Sequence, residues 1–257
     1  MSECQPHPEV LNRHPRILIV GWGHVGQQIG RYFTEADHVD IDGLIRHGEF
    51  GLGQPVFPEQ YDLGFLCVPT PECEDGSCDV SAIQAAYKAW NPIVRYWCIK
   101  SAVAIGTTEA LGPNVCCSPE FYGETTRHPL VAISPDHFEI LGGPPEVTQA
   151  FAEAWSLVTN SYSHIYQADA RTVELCKLME NAWIATKVSF VNQFYDLAAL
   201  AGVDWHTLRE LWLADPRVSR SHTYVYPNNR GWGGKCLPKD LAAIIMASRK
   251  CEAGHRG

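Results

Sequence analysis

The sequence predicts an α/β fold in which a doubly wound parallel sheet is followed by a helical domain built on one long helix. Three observations support this prediction. Short apolar runs alternate with helical stretches up to about residue 168, which is the pattern of repeated βαβ units. A glycine-rich turn follows the first run directly. Residues 170–201 then contain neither proline nor glycine, which favours a single continuous helix.

The strands are predicted from short apolar runs that are bounded by glycine, proline or polar residues. In chain order, the predicted strands are residues 16–20, 38–42, 63–68, 94–99, 115–117 and 139–141. The predicted helices between them are residues 24–35, 80–90 and 146–158. Because strands and helices alternate, the sheet is expected to be parallel and to carry helices on both faces.

Residues 170–201 form the predicted long helix, with a length of roughly 45 Å at 1.5 Å per residue. Side chains at helical intervals along it are Leu175, Met179, Ala182, Thr186, Phe190, Phe194, Leu197 and Ala201. Gly202 follows, the residue type expected just past a helix end. Such a helix is expected to be the spine of a second domain and a dimer surface. The predicted organisation is therefore a loose arm over residues 1–15, a sheet domain over 16–167 and a helical domain over 168–257.

The composition excludes several classes of protein. The 257 residues are 46% hydrophobic and 19% charged, which is typical of a globular chain. The formal net charge of -9 disfavours nucleic acid and anionic membranes as partners. No apolar run approaches the ~20 residues that span a bilayer, and no signal peptide is recognisable. The ten cysteines then indicate reduced thiols in a cytoplasmic protein, and their spacings match no zinc site, so no metal is expected.

The turn after the first predicted strand has the spacing of a dinucleotide-binding loop. Gly21-Trp22-Gly23-His24-Val25-Gly26 matches GxGxxG, whose glycines permit a tight turn, close approach of a pyrophosphate and close helix–strand packing. Asp42 lies 21 residues beyond Gly21, where a carboxylate can accept a hydrogen bond from the ribose 2′-OH. The same charge would repel a 2′-phosphate, so the sequence predicts NAD rather than NADP. Asp40 is the alternative acid if the strand ends early.

Three segments offer reactive side chains. Cys236 stands in a glycine-rich turn at a predicted helix start, where backbone N–H groups and two flanking lysines favour the thiolate; taken alone, such a cysteine is more often buried and structural. Lys177 and Asn181 share one face of the long helix and could stabilise an oxyanion, the alternative being a solvated lysine. Glu120 and Glu124 follow a predicted strand end, where ligands bind in such sheets, although loop carboxylates are usually only solvated.

Eight segments together carry a resemblance to a known family. They are the GxGxxG turn, Val68-Pro69-Thr70-Pro71, Asp75-Gly76-Ser77-x-Asp79, Lys100-Ser101-Ala102-Val103 with Gly106-Thr107-Thr108, Ser118-Pro119-Glu120-Phe121, Lys177-x-x-x-Asn181, Asp215-Pro216-Arg217-Val218 and Gly233-Gly234-Lys235-Cys236-Leu237-Pro238-Lys239-Asp240. In this order, and spread from about residue 16 to 250, they resemble the UDP-glucose/UDP-sugar 6-dehydrogenase family, the nucleotide-sugar dehydrogenases. The last string is highly specific.

The resemblance implies that a primary alcohol, C6 of a UDP-sugar such as UDP-glucose, is oxidised twice to a carboxylate with two NAD. By similarity, Cys236 adds to the intermediate aldehyde, and the thiohemiacetal is oxidised to a thioester. Lys177 and Asn181 would stabilise oxyanions, with Asp240 supporting the lysine and an ordered water. Glu120 would assist hydrolysis of the thioester.

Binding residues are expected from the same motifs. Those expected at the NAD site are Gly21, Gly23, His24, Val25, Gly26, Asp42, Val68, Pro69, Thr70, Ser101 and Glu124. Those expected at the substrate are Glu120, Phe121, Tyr122, Lys177, Asn181, Arg217 and Gly233. Arg217 resembles the arginine that reaches the substrate across a dimer interface, so a homodimer through residues 170–201 is expected.

The chain departs from the family pattern at several places. Ala102 replaces a threonine, the loop between Arg217 and Gly231 is longer than usual, and residues 135–143 lack the family's arginine. The chain also stops soon after Cys236, whereas family members continue into a second α/β domain that holds the nucleotide. The expectation is therefore a short form without the C-terminal UDP-binding domain. A UDP-sugar would then be held weakly or by a partner chain, or would not be the substrate.

Two other functions remain open. One is a single-step NAD dehydrogenase for a smaller hydroxylated substrate, similar to the β-hydroxyacid dehydrogenases, which also pair a lysine with an asparagine four residues apart but lack the Cys236 segment. The other is a non-catalytic NAD-binding paralogue. Ala102 and the short chain favour the paralogue, whereas the intact Cys236, Lys177 and Asn181 oppose it.

Overall fold

The computed structural model describes residues 14–43, 45–47, 60–121, 138–159 and 164–254. Their contacts divide the chain into two compact units. Unit 1 comprises the described residues of Met1–Pro71 and Asp79–Leu175, and unit 2 comprises those of Glu72–Cys78 and Cys176–Gly257. Most of the predicted arm over residues 1–15 lies outside the described residues. The predicted domain boundary near residue 168 stays a prediction.

Unit 1 is built on a mixed, mostly parallel sheet. Its elements in chain order are β1 (Ile17–Val20), α1 (His24–Gly30), β2 (Asp37–Val39), β3 (Ile45–His47), β4 (Tyr61–Leu66), α2 (Ser81–Trp90), β5 (Val94–Ile99), α3 (Thr107–Leu111), β6 (Val115–Cys117), β7 (Phe138–Gly142), α4 (Pro145–Val158) and β8 (His164–Ala168). The described strands form one sheet in the order β3-β2-β1-β4-β5-β6-β7-β8. The predicted α/β class is confirmed.

Two pairings in the sheet are antiparallel and correct the expectation of a uniformly parallel sheet. These are β2 with β3 and β6 with β7, whereas the other pairings are parallel. Neither β3 nor β8 was predicted from the sequence. β3 follows β2 after a short connection that begins with a turn, in which the Gly43 N–H donates to Asp40 O at 2.9 Å and Gly43 has φ +68°. Such a short connection can only reverse the chain, so the pair is antiparallel.

Apolar side chains cover both faces of the sheet. Ile19 and Phe65 pack with Phe151 of α4 on one face, and Leu18 and Ile99 lie in the cluster on the other. The first cluster also contains residues of α1, and the second contains residues of α2. The strands therefore carry continuous apolar runs because both faces are buried, as expected for a doubly wound sheet.

Three predicted ends in unit 1 were too far along the chain, and one of them is that of β4, which ends at Leu66 rather than at residue 68. Helix α1 ends at Gly30 rather than at residue 35, since a turn at Tyr32 and Phe33 brings the Phe33 ring to 5.0 Å from that of Trp155. A Cβ at Gly30 would lie 2.4 Å from the Trp22 ring, so the close packing of Trp22 requires glycine there. Strand β2 ends at Val39 rather than at residue 42 because the turn at Asp40 follows at once.

The long helix α5 (Ala170–Leu200) begins in unit 1 and continues into unit 2, and it confirms the predicted helix over 170–201. Asp169 accepts hydrogen bonds from the N–H and hydroxyl of Thr172, which hold the pKa of Asp169 below its usual value and cap the helix. Gly202 follows its end with φ +68°. Unit 2 also contains α6 (Trp205–Trp212) and α7 (Cys236–Gly254). No helix among the described residues is both long enough and apolar enough to cross a membrane.

Candidate active site

The glycine turn of unit 1 excludes side chains at two positions and is open at a third. Gly21 has φ +97°, and a Cβ there would lie 2.7 Å from Cys67 O. A Cβ at Gly26 would lie 2.0 Å from Gly21 O. Around Gly23, by contrast, no atom lies within 4 Å of the position of a Cβ. Helix α1 starts at His24 without a side-chain cap or an acid in its first turn, so the turn presents backbone N–H groups to an approaching anion.

Two loops at the carboxyl ends of β4 and β5 are joined by hydrogen bonds beside this turn. The Thr70 hydroxyl donates to Ala102 O at 2.9 Å, and the Ser101 hydroxyl donates to Val68 O at 2.5 Å. Pro69 lies between Val68 and Thr70 in the loop that follows β4. The carboxyl ends of parallel strands are where ligands bind in doubly wound sheets. The residues predicted here from the sequence therefore share one edge of the sheet with the glycine turn.

The two acids considered for the ribose have different surroundings. Because β2 ends at Val39, the condition that favours Asp40 is met. Asp40 Oδ1 lies 3.5 Å from the backbone N of Trp22, within the glycine turn. Asp42 instead forms an ion pair with Arg46, and this hydrogen bond raises the pKa of the guanidinium. The geometry places Asp40, rather than Asp42, beside the turn.

The histidine of the turn adds a polar atom that lacks a protein partner. His24 Nε2 is buried and makes no hydrogen bond with the described residues. Nearby, the ring of Trp22 stacks on His38 of β2 at 3.7 Å between centroids. A dinucleotide bound along the open Gly23 position would bring phosphate and ribose oxygens to this edge. The residues present therefore fit a dinucleotide.

Lys177, Asn181 and Asp240 form the predicted catalytic set of unit 2, and all three are buried. The Asn181 amide donates to Asp240 Oδ2, and Lys239 Nζ donates to Asp240 Oδ1 at 2.6 Å. Lys177 Nζ donates to Oε2 of Glu180 at 2.7 Å. A lysine that is 8% exposed is not the solvated surface lysine that spacing alone suggested. The structure brings Asn181 and Asp240 into direct contact, and Lys177 lies one turn earlier on the same helix.

Cys236 is the first residue of α7, which confirms the predicted helix start. It is exposed, whereas Cys98, Cys116 and Cys117 are buried in the sheet of unit 1. Burial raises the pKa of the Cys117 thiol and leaves it unreactive at neutral pH. The interpretation of Cys236 as one more buried structural cysteine therefore does not hold. Among these thiols, Cys236 is the accessible one.

The other predicted substrate residues lie in separate places. In unit 1, the Glu120 N–H donates to Lys100 O at 3.0 Å, and the Phe121 ring lies 5.2 Å from that of Phe138. Tyr122 and Glu124 lie outside the described residues. In unit 2, the guanidinium of Arg217 pairs with Asp215, which holds the pKa of that carboxyl below its usual value. No described atom lies within 4 Å of a Cβ at Gly233.

Three polar contacts were missed by the sequence-based predictions. In unit 1, Lys100 forms a buried ion pair with Glu139, and Glu174 accepts hydrogen bonds from the N–H groups of Gly106 and Thr108. In unit 2, Arg230 binds α5. A signal was available for Glu139, since an acid inside a predicted buried strand requires a partner. No local pattern identifies the partners of Glu174 or Arg230.

Comparisons with known proteins find similarity to nucleotide-sugar dehydrogenases. A family model described as the central domain of the UDP-glucose/GDP-mannose dehydrogenase family matches residues 171–256. The UDP-glucose 6-dehydrogenase of Pseudomonas aeruginosa is 26% identical over 283 residues, which cover 91% of this chain and 62% of that protein. A solved UDP-glucose dehydrogenase from Pyrobaculum islandicum superposes with a TM-score of 0.73 at 23% identity, over 96% of this chain and 67% of that one.

A third similarity is to a smaller dehydrogenase. The 3-hydroxyisobutyrate dehydrogenase of Mycobacterium tuberculosis, solved with L-serine, has a TM-score of 0.67 at 14% identity. The match covers 93% of this chain and 88% of that one. At such low identity, the similarity to solved structures shows the fold alone.

The matched segment, residues 171–256, resembles the central domain of nucleotide-sugar dehydrogenases. This chain is therefore similar, at low identity, to members of the UDP-glucose/GDP-mannose dehydrogenase family. It spans 62% of the length of the Pseudomonas aeruginosa relative.

Proposed function

We propose that this protein oxidises the primary alcohol of a nucleotide sugar, C6 of a UDP-sugar such as UDP-glucose, to a carboxylate with NAD. One observation carries the proposal: the exposed thiol of Cys236 starts the helix whose Asp240 is hydrogen-bonded to Asn181, one turn from Lys177. A thiol one helical turn from the carboxylate that binds the amide, together with an ammonium on the helix of that amide, is suited to an alcohol that passes through an aldehyde to an acid.

NAD fits the residues at the edge of the sheet in unit 1. The open Gly23 position and the free N–H groups at the start of α1 would hold the pyrophosphate. Asp40 would accept a hydrogen bond from the ribose hydroxyl, and His24 Nε2 would gain a partner. When bound, NAD supplies the hydride acceptor for each of the two oxidations.

Lys177 and Asn181 would act on the substrate oxygen. One N–H of the Asn181 amide is held by Asp240, which fixes the orientation of the amide and leaves the second N–H to donate to that oxygen. The ammonium of Lys177 would stabilise the negative charge that develops as the alcohol loses its proton. Burial of both groups strengthens these interactions because the local dielectric constant is low.

Cys236 would retain the intermediate. Its sulfur forms a bond to the aldehyde carbon, and the thiol proton ends on the oxygen, which gives a thiohemiacetal. Loss of a second hydride and that proton leaves a thioester. Water then attacks the acyl carbon while Glu120 takes a proton, the C–S bond breaks, and the thiolate takes up a proton, which restores the thiol. The sum is one alcohol, two NAD⁺ and one water giving one carboxylate, two NADH and three protons.

The deciding experiment counts NADH per product with a panel of UDP-, GDP- and TDP-sugars and with free sugars. The proposal expects two NADH per carboxylate for one nucleotide sugar. A ratio of one would overturn the two-step reaction. NAD binding without turnover on the whole panel would instead support the non-catalytic paralogue.

A single-step dehydrogenase for a smaller hydroxylated substrate is the second candidate. The similarity that favours it is the solved 3-hydroxyisobutyrate dehydrogenase, nearly all of whose length this chain covers. The residue that opposes it is Cys236, for which a one-step hydride transfer has no use. Full activity of Cys236→Ala on a small hydroxy acid would favour this candidate.

The different surroundings of Asp40 and Asp42 give a prediction for cofactor binding. Asp40→Ala should raise the KM for NAD by about tenfold to a hundredfold, because a charged hydrogen bond to the ribose contributes about 1.5–3 kcal/mol. Asp42→Ala is the matched control and should change this KM by less than about threefold, since Asp42 is paired with Arg46. Steady-state kinetics with NAD varied measures both. A larger effect of Asp42→Ala than of Asp40→Ala on this KM would instead assign the ribose contact to Asp42.

A homodimer through α5 is also proposed. Large apolar side chains are exposed along this helix, at Leu175, Met179, Trp183, Phe190, Phe194, Leu197 and Leu200. Trp183 is 62% exposed, and such a row of apolar groups marks an interaction surface.

Trp183→Asp should therefore convert the dimer to a monomer, as measured by size-exclusion chromatography with light scattering, because it places a charge in a desolvated interface. Leu211→Asp on α6 is the control: Leu211 is 71% exposed and lies off α5, so this variant should stay dimeric. A wild-type protein that is monomeric at micromolar concentration would contradict the proposed dimer.

A further inference from the structure

Residues 230–232, which precede the glycine turn of Cys236, are fastened to α5 by an arginine. Arg230 Nε donates to Asn192 Oδ1 at 2.7 Å, and Nη2 donates to the backbone O of Asn192 at 2.9 Å. Nη2 also lies 2.9 Å from Asp196 Oδ1, and the guanidinium lies 4.7 Å from the centre of the Tyr195 ring. One side chain thus contacts three residues of the helix, at positions 192, 195 and 196. We call residues 230–232 with these contacts the α5 anchor.

Two further hydrogen bonds complete the α5 anchor. The Gly231 N–H donates to Asn192 Oδ1 at 3.2 Å, and Trp232 Nε1 donates to the hydroxyl of Ser189 at 3.0 Å. Ser189, Asn192 and Asp196 are spaced three and four residues apart, so they lie on one face of α5. The anchor is therefore a set of directed contacts along about two turns of the helix.

Asn192 is itself held in place. Its Nδ2 donates to Val188 O at 2.8 Å, one turn earlier on α5. This bond fixes which way the amide points, so Oδ1 faces Arg230 and Gly231 as an acceptor. The ion pair with Asp196 adds to it, and Arg230 holds the pKa of Asp196 below its usual value. Since Asp196 is largely exposed, the hydrogen bonds to Asn192 are the stronger part of the anchor.

The segment between the anchor and α7 is rich in glycine. Gly231 and Gly234 have φ +81° and +84°, conformations that favour glycine. A Cβ added at Gly233 or Gly234 would have no described atom within 4 Å. Glycines in such open surroundings have many accessible conformations, and ordering them costs free energy. After Cys236 in the chain, Asp240 of α7 is hydrogen-bonded to Asn181 of α5.

We propose that Arg230 is a positioning residue for the thiol of Cys236: through Asn192 and Asp196 it holds the glycine turn on α5, so that the sulfur adds to the aldehyde before the aldehyde leaves. The α5 anchor holds the chain before Cys236, and the Asp240–Asn181 contact holds the chain after it, and both contacts are made to α5. Arg230 does not touch the reacting atoms. This inference rests on the proposed two-step oxidation.

The test measures how the aldehyde is divided between release and oxidation. Arg230→Met keeps a long side chain but removes every donor, and Asn192→Ala removes the acceptor at a position where alanine favours the helix. With UDP-glucose as the probe, free aldehyde is trapped as a hydrazone and counted against NADH. Both variants should release at least ten times more aldehyde per NADH than wild type. Arg230→Lys should recover part of the loss, since an ammonium can still bind Asn192 and Asp196.

The matched control is Arg220→Met, which removes another arginine ion pair of unit 2, the one to Glu210. This variant should release the same amount of free aldehyde per NADH as wild type does. Thermal unfolding identifies any variant that fails to fold, and the conclusion then uses the variants that do fold. A folded Arg230→Met or Asn192→Ala with the wild-type division of aldehyde would overturn the inference.

Amide exchange separates a failure of this inference from a failure of the proposed function. The backbone amides of residues 230–236 should exchange at least five times faster in Arg230→Met than in wild type, whatever the substrate. If wild type forms no NADH from any sugar but exchange in the variant is faster, the proposed function fails and the anchor stands. If exchange is unchanged, the anchor does not hold the turn and the inference is wrong.

Discussion

Replacing Cys236 by alanine should lower carboxylate formation by at least about a thousandfold, while NAD binding stays unchanged. Without the sulfur, the aldehyde has no covalent link to the protein and no thioester can form. The first hydride transfer needs only Lys177 and Asn181, so a slow release of aldehyde with one NADH should remain. Product analysis by mass spectrometry, together with the NADH count, measures both effects.

Two further variants make this prediction specific. Cys73→Ala removes another free cysteine of unit 2 and should keep the wild-type rate. Cys236→Ser replaces the sulfur with a poorer nucleophile and should accumulate a hemiacetal adduct detectable in the intact mass. Two NADH per product at the wild-type rate in Cys236→Ala would end the thioester mechanism, whereas one NADH per product at that rate would favour the one-step dehydrogenase.

Lys100→Met should lower the free energy of unfolding by about 3–5 kcal/mol, because it leaves a carboxylate buried without its counter-charge. Lys100 Nζ lies 3.1 Å from each oxygen of Glu139 and 3.1 Å from the hydroxyl of Ser118. Both charged side chains are about 2% exposed. Burial alone would lower the pKa of Lys100, but the charges of Glu139 and Glu120 outweigh it, and the net shift is upward.

The double variant Lys100→Met with Glu139→Leu is the control for this prediction. It removes both charges and should recover most of the lost stability, since an apolar pair of similar volume needs no compensation. Urea unfolding of the three proteins measures the differences. Lys100 has a raised pKa in the folded state, so its contribution is fully present below the unfolded pKa of about 10.4 and is lost only as pH rises further. A loss below about 1 kcal/mol at neutral pH would contradict the prediction.

Local patterns were sufficient for much of the fold. The apolar run at Ile17–Val20 predicted β1, and the uninterrupted helical spacing after residue 169 predicted α5 to within one residue at its end. The glycine turn predicted a strand before it and a helix after it. The start of α7 at Cys236 followed from the glycines that precede it. These features depend on neighbours in the chain, so the sequence carries them directly.

The candidate site was predicted less completely. The sequence identified Cys236, Lys177, Asn181 and Asp240 through motifs, and the structure added that Asn181 and Asp240 are bonded across 59 positions. It chose Asp42 over Asp40 by counting residues, whereas the early end of β2 favours Asp40. It could not find Arg230 as a contact of α5, because nothing in the local pattern links positions 38 residues apart.

The sequence by itself determined most of the strands and helices, the glycine turn, the long helix and the chemical groups available for catalysis. Only the tertiary structure decided which of those groups are buried, which acid lies beside the glycine turn, and which side chains hold the thiol. The physical reason is the range of the interactions. Helical and strand periodicity and glycine conformations act between near neighbours in the chain, whereas burial, ion pairing and the packing of one segment on another depend on residues that only folding brings together.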